Sequence, residues 1–346
     1  MKRIKKANNI ILLIEVITIS GFSGFIFELI DSEQFQFSGF LIGAMFGIGF
    51  WVMELYWSHK WKSLLLKLPV LFSIFLKAFI FLIIIIIFTG IIGFVLGYFE
   101  GRHIDEFYST RFEMGQIILY IYVLQLFLFL SFYVQLKHFF GQDTLTNFLL
   151  GKYRKPIKEH RIFMFLDMKS STTLAEKLGL ESYYELLSDF FNDITDPVYF
   201  ADAEVYQYVG DEVVFTWETE KGINNQNCLN LFFSIKKKVK SREKYYLKKY
   251  GEIPRFKAAI HLGEVISAQI GEVKRELIYN GDVLNTTARI QEQCNVFGQE
   301  LIVSGRLLKK LNLEDNYISN KLDALRLRGK ESLVHLFSIQ EKFSLE

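Results

Sequence analysis

Three short stretches of this sequence put chemically capable side chains where the chain turns. In the first, the apolar run Ile162–Leu166 reads as a strand and ends at Asp167. Met168, Lys169, Ser170, Ser171, Thr172 and Thr173 follow, then a helical pattern from Leu174 to Ile194 with a break predicted at Gly179. Ser and Thr are natural N-caps, so this helix is expected to begin with amides pointing at the Asp167 turn. A carboxylate at a strand end, facing unsatisfied helix amides, suits a metal ion that carries phosphates. A capping role alone is the plainer alternative. In the second stretch, Val205–Phe215, two strand-like runs flank Gly210-Asp211, a strong hairpin signal. Asp211 is then either a turn residue or a second carboxylate at the hairpin tip, beside the strand that bears Asp167. Two such carboxylates can hold two divalent cations, which clamp the attacking and leaving oxygens of a phosphoryl transfer. In the third stretch, Tyr279–Ile290, Asn285 and Arg289 are spaced i, i+4 and share one helix face. Alone, that pair is surface decoration; with the other two stretches it becomes specific.

Composition divides the elements that must position these residues. The formal charge of the 346-residue chain is only +2, so there is no broad basic field for nucleic acid. Hydrophobic residues make up 51%, with 35 Phe, too many for an evenly mixed soluble protein. The excess lies before about residue 136, and the rest reads as an ordinary soluble domain. The division is therefore residues 1–136 as a membrane domain, 137–159 as a cytoplasmic linker and 160–342 as a catalytic domain. Cys228 and Cys294 are expected as reduced thiols, and the six histidines have no metal-ligand spacing.

Ile162–Thr173, Val205–Phe215, Phe256–Val265 and Gly281–Arg289 together resemble the four sequence blocks of class III adenylyl/guanylyl cyclases, in the family's order. Leu327-Arg328-Gly329-Lys330 and the strand after it resemble that domain's end, so the likeness covers roughly residues 158–342. It implies an α/β catalytic domain with a ferredoxin-like core, working as a head-to-tail homodimer with two composite sites. Asp167 and Asp211 of one chain, with the carbonyl of Met168, are implied to bind two Mg²⁺ or Mn²⁺. Asn285 and Arg289 are implied to come from the other chain, Asn285 orienting the ribose and Arg289 stabilising transition-state charge. The implied reaction turns ATP into cyclic AMP and pyrophosphate by in-line attack of the ribose 3′-hydroxyl.

The same likeness bears on the base. Adenylyl members use Lys with Asp or Thr; guanylyl members use Glu with Cys or a similar residue. Counting back from Gly263 puts the first position at Arg255, while matching the Phe-Lys pair puts it at Lys257. Strand alternation places both on one face, so the choice stays open. Either is basic and suits adenine. The second position falls on Ile278, whose side chain cannot bond the adenine amino group. Guanylate cyclase and a catalytically inactive membrane sensor are the alternatives that this departure keeps alive. A diguanylate cyclase is disfavoured, because Val209-Gly210-Asp211-Glu212-Val213 lacks the first Gly of that family's hairpin.

Ahead of this domain, Ile10–Ile30, Gly39–Trp57, Val70–Tyr98 and Ile117–Leu136 are each near or beyond the roughly 20 residues a spanning helix needs. Tyr56, Trp57, Trp61 and Tyr98 sit near span ends, as interface anchors do. Lys2, Arg3, Lys5 and Lys6 precede the first span, and His59, Lys60, Lys62 and Lys67 fill the second loop. The first loop has no Lys or Arg, and the third mixes both signs. The N-terminus and the catalytic domain are thus expected in the cytoplasm, with a multi-pass inner (plasma) membrane location and an uncleaved first helix. Glu15 and Lys77 lie inside spans, where a charge either pairs or serves a function. A channel or transporter is disfavoured by the scarcity of ionisable residues. In the linker, Gly141, Gly151 and Pro156 argue against one stiff helix, though Thr144–Leu150 fits two helical turns.

Overall fold

A computed structural model of the chain describes residues 2–32, 37–60, 68–99, 114–140, 146–147, 150–313, 316–324 and 333–342. Loop residues 33–36, 61–67 and 100–113, linker residues 141–145 and 148–149, and the run containing Leu327–Lys330 lie outside the described residues. The chain divides into two compact units, one of Lys6–Leu145 and the other of Thr146–Glu346 with Met1–Lys5.

The first unit holds α1 (Lys2–Ser32), α2 (Ser38–Lys60), α3 (Val70–Phe99) and α4 (Met114–Phe140). Within them Ile10–Ile30, Ser38–Trp57, Val70–Ile91 and Gly115–Lys137 are long and apolar enough to cross a membrane. Val16, Phe50, Ala78, Phe127 and Leu130 are buried between helices, yet Phe22, Met45, Phe79, Ile87 and Phe132 are exposed. Helices apolar on every side suit a lipid surround. Phe127 packs against Phe50 and Phe81 at ring separations of 5.0 and 4.7 Å. Glycines let α1 and α2 approach closely: a Cβ on Gly24 would lie 2.8 Å from the Cα of Gly43. The charges of Glu15 and Lys77 are paired between helices. Glu15 accepts hydrogen bonds from Tyr133 and Lys137, and Lys77 Nζ lies 2.8 and 3.0 Å from the two carboxylate oxygens of Glu54.

The second unit is built on one mixed sheet: β1 (Ile157–Met168), β2 (Glu204–Val209), β3 (Glu212–Glu218), β4 (Phe256–Ile270), β5 (Glu276–Asn280), β6 (Leu301–Ser304), β7 (Tyr317–Lys321) and β8 (Leu336–Glu341). Their order is β2-β3-β1-β4-β6-β8-β7, with β5 paired to β4. β1 is antiparallel to both neighbours, and β4 is parallel to β6. The strand starts earlier than its apolar run suggests. Ile157 already pairs with Ser267, and nearby Tyr153 is buried, its carbonyl accepting from the Gln269 amide at 3.0 Å.

Alternation along β1 feeds two layers. Ile162, Met164 and Leu166 enter the main core with Phe190, Phe232 and Ile260. Phe163 and Phe165 face the other way, joining Val265, Tyr279 and Val283. The main core is covered by α5 (Ser171–Leu178), α6 (Leu180–Phe200), α7 (Asn227–Ser241) and α8 (Glu243–Tyr250); α9 (Asp282–Val296) lies on the opposite face. Gly179, at φ +77°, separates α5 from α6 at the predicted break. The Ser/Thr capping expectation is not met: Ser170 precedes α5 in the left-handed region, and its side chain makes no cap bond. Cys228 and Cys294 are buried and unpaired.

Candidate active site

Asp167 is the penultimate residue of β1 in the middle of the sheet, and Asp211 occupies the β2–β3 tip after Gly210, whose φ of +63° favours glycine. The pairing of Leu166 with Val213 brings the two ends side by side. Glu212 follows Asp211 and adds a third carboxylate to the neighbourhood. Burial pushes Glu212 up to about 7, and Asp167 and Asp211 push it the same way. Asp167 is also raised, mainly by burial, with Asp211 reinforcing the shift and Lys257 opposing it. Negative charge is in excess here.

Lys257 is the cation that the fold supplies. It stands directly across from Asp167 in the β1–β4 register. Its Nζ lies 3.2 Å from Asp167 Oδ2 and donates to Asn295 Oδ1 at 3.1 Å. Gln291, one turn earlier on α9, is buried and also opposes the upward shift of Asp167. Arg255 is exposed just ahead of β4 and does not share this position. Met168 directs its side chain into the main core, which leaves its backbone for the site.

The donor set suits a small hard cation. Asp211 Oδ2 is buried and has no hydrogen-bond partner, an acceptor left for something the protein does not supply. Among the described residues no three His, Cys, Asp or Glu side chains converge as a closed metal cage. Two carboxylates without a cage match Mg²⁺ or Mn²⁺, which keep water and phosphate oxygens as their remaining ligands.

Asn285 and Arg289 lie on α9, exposed and half-buried respectively. At 3.6 residues per turn their face is roughly 120° round the helix from Gln291 and Asn295. The structure therefore gathers Asp167, Asp211 and Lys257, and turns the Asn–Arg pair another way. Ile278 lies on β5 opposite Ala268, half-buried. Its neighbour Tyr279 is stacked under the guanidinium of Arg161 at 4.7 Å, and buried Arg161 is bound in turn by Glu204 and Thr216. Sequence reasoning missed Glu212, Gln291, Asn295 and Arg161. The i, i+4 spacing of Gln291 and Asn295 was the one available signal.

Residues 155–340 match the family model of the adenylate and guanylate cyclase catalytic domain. Adenylate cyclase 2 of Rhizobium meliloti (strain 1021) is 35% identical over 180 residues, 52% of this chain and 50% of that protein. Adenylate cyclase 1 of the same strain is 20% identical over 182 residues, covering 51% of this chain and 27% of that one. The chain thus spans about half the length of the first relative and about a quarter of the second. Among solved structures, a bacterial light-regulated adenylyl cyclase aligns at a TM-score of 0.53 with 16% identity, over 66% of this chain and 67% of its own, a likeness of fold.

Proposed function

The chain belongs to the adenylate and guanylate cyclase catalytic family, and we propose that it is a membrane-anchored adenylate cyclase, making 3′,5′-cyclic AMP and pyrophosphate from ATP at sites shared by two copies. The carrying observation is directional. Asp167 and Asp211 converge, with a buried Asp211 oxygen that has no hydrogen-bond partner, while Asn285 and Arg289 face elsewhere on α9. One copy then holds the two halves of a site pointing apart, which a second copy completes. Asp167, Asp211 and the Met168 carbonyl are the residues to hold two Mg²⁺ or Mn²⁺, which when bound neutralise phosphate charge and acidify the ribose 3′-hydroxyl. From the second copy, the Asn285 amide orients the ribose. The Arg289 guanidinium meets charge on the α-phosphate as the bond from the 3′-oxygen forms and the bond to the bridging β-phosphate oxygen breaks. The hydroxyl proton passes to water, and pyrophosphate departs.

The base preference rests on basic Arg255 or Lys257, which suit the acceptor atoms of adenine. The basic N-terminal side of the helices supports a cytoplasmic catalytic domain on a multi-pass membrane anchor. The test is turnover by the full-length protein with Mn²⁺ and, separately, ATP or GTP, with products resolved by mass. Cyclic AMP from wild type and none from Asp211→Ala supports the reading. Cyclic GMP overturns the base assignment, and Ile278 is the residue that favours this second outcome. No product from either nucleotide in a folded dimer overturns catalysis in favour of a membrane sensor. Mixed Asp167→Ala and Arg289→Ala chains should recover one complete site per heterodimer; no recovery after confirmed mixing overturns the shared site.

A further inference from the structure

Lys257 is held in an unusual position for a lysine. Its side chain is only 10% exposed, on a strand paired on both edges. Two acceptors meet its ammonium: Asp167, a proposed metal ligand, and Asn295, in the last turn of α9. An ammonium there cannot lose both partners without becoming a buried unpaired charge, and Asp167 beside Asp211 has the same need. A divalent ion held by Asp167 would bring a second, larger positive charge to the same carboxylate. Lysine has a flexible four-carbon stem, so it can yield that oxygen and keep the other.

We propose that Lys257 is a resident counter-ion of the aspartate pair, displaced from Asp167 when a divalent cation enters and then held by Asn295. This rests on the two-aspartate metal site proposed above. Lys257 is on this view a positioning residue that keeps Asp167 in place between metal-binding events and competes with the metal for it. Its ammonium is engaged within its own chain, so exposed Arg255 is left as the basic residue to read the base.

The test is Mn²⁺ binding to the full-length protein by titration calorimetry without nucleotide, with thermal unfolding followed with and without Mn²⁺. Lys257→Met keeps the stem and deletes the charge. It should bind Mn²⁺ about tenfold more tightly, the size of a coupling between contacting groups. Its metal-free unfolding temperature should fall and its Mn²⁺-induced rise should exceed that of wild type. Lys257→Arg keeps a cation and should stay close to wild type. Asn295→Ala removes the second acceptor from an exposed position and should bind Mn²⁺ several-fold more weakly. Unchanged or weaker Mn²⁺ binding by Lys257→Met overturns the inference, and should that variant not fold, unchanged binding by Asn295→Ala does so. If wild type binds no Mn²⁺, or binds it equally well as Asp167→Ala, the metal site itself falls and the inference with it. Loss of binding in Asp167→Ala alongside no effect at Lys257 and Asn295 sinks only the inference.

Discussion

The helical unit and the sheet unit treat buried charge in opposite ways. In the helices Glu15 is matched with Lys137 and Tyr133, and Glu54 with Lys77. At the sheet's carboxylate end Asp167, Asp211 and Glu212 face one lysine, and an oxygen of Asp211 has no partner. A matched charge in an apolar surround fixes one helix against another. An unmatched set costs stability in the free protein and keeps a place for an incoming cation.

The sharpest way to break this contrast is Asp211→Ala. Cyclase turnover should fall by at least about a hundredfold, as when a transition-state electrostatic group is removed. The metal-free unfolding temperature should hold or rise, because one repelling carboxylate has gone. A marked loss of folded stability would make Asp211 structural and end the distinction. Next in size, Lys137→Met should destabilise the helical unit by about 3 kcal/mol, by leaving Glu15 without its cation. Adding Glu15→Gln should restore most of that loss, measured by unfolding in detergent micelles. No recovery in the double variant would mean that packing of the lysine stem, rather than charge, is what matters.

The smallest effect sharpens the contrast inside the sheet unit. Asp189 is a carboxylate closed by partners: burial pushes its pKa up, but hydrogen bonds from Tyr250, Tyr245 and Lys249 outweigh it and leave the pKa lowered. A carboxyl lowered in the fold stabilises the protein above its unfolded pKa, and the contribution fades as pH falls through the folded value. Asp189→Asn should therefore cost about 1 kcal/mol near neutrality, a screened surface-network value, and progressively less below about pH 4. Unfolding temperatures of both proteins across pH 3–8 check this; a gap that stays constant with pH would show that charge at Asp189 does not matter.

Much of this was readable in the residues because the signals were local. Asp167 closes an apolar run, Gly210-Asp211 makes a two-residue hairpin, and Gly179 splits a helix with its positive φ. The four long apolar stretches reappear as helices of spanning length. What stayed hidden depended on distant pairing. That Lys257 stands across from Asp167, a contact the sequence reading did not foresee, is decided by the β1–β4 register, which no local pattern encodes. Gln291 comes beside Asp167, and Asn295 beside Lys257, only through the rotational phase of α9. The partners of Glu15 and Lys77 came from other helices, and β1 began at Ile157 because pairing with β4 extends a strand whose own residues, Lys158, Glu159 and His160, are polar.

The two aspartates differ in how firmly the chain grips them. Asp167 is paired with Lys257 of β4, and the residue before it, Leu166, is laced on both edges. Asp211 rides a hairpin whose outer strand is the sheet's edge, with an irregular register between Val205 and Gln207 and exposed Tyr208 and Val209. On the proposed metal site, the pair would work as a vice with one jaw set in the sheet and one carried on its rim, so that a change in cation radius would be taken up at the rim.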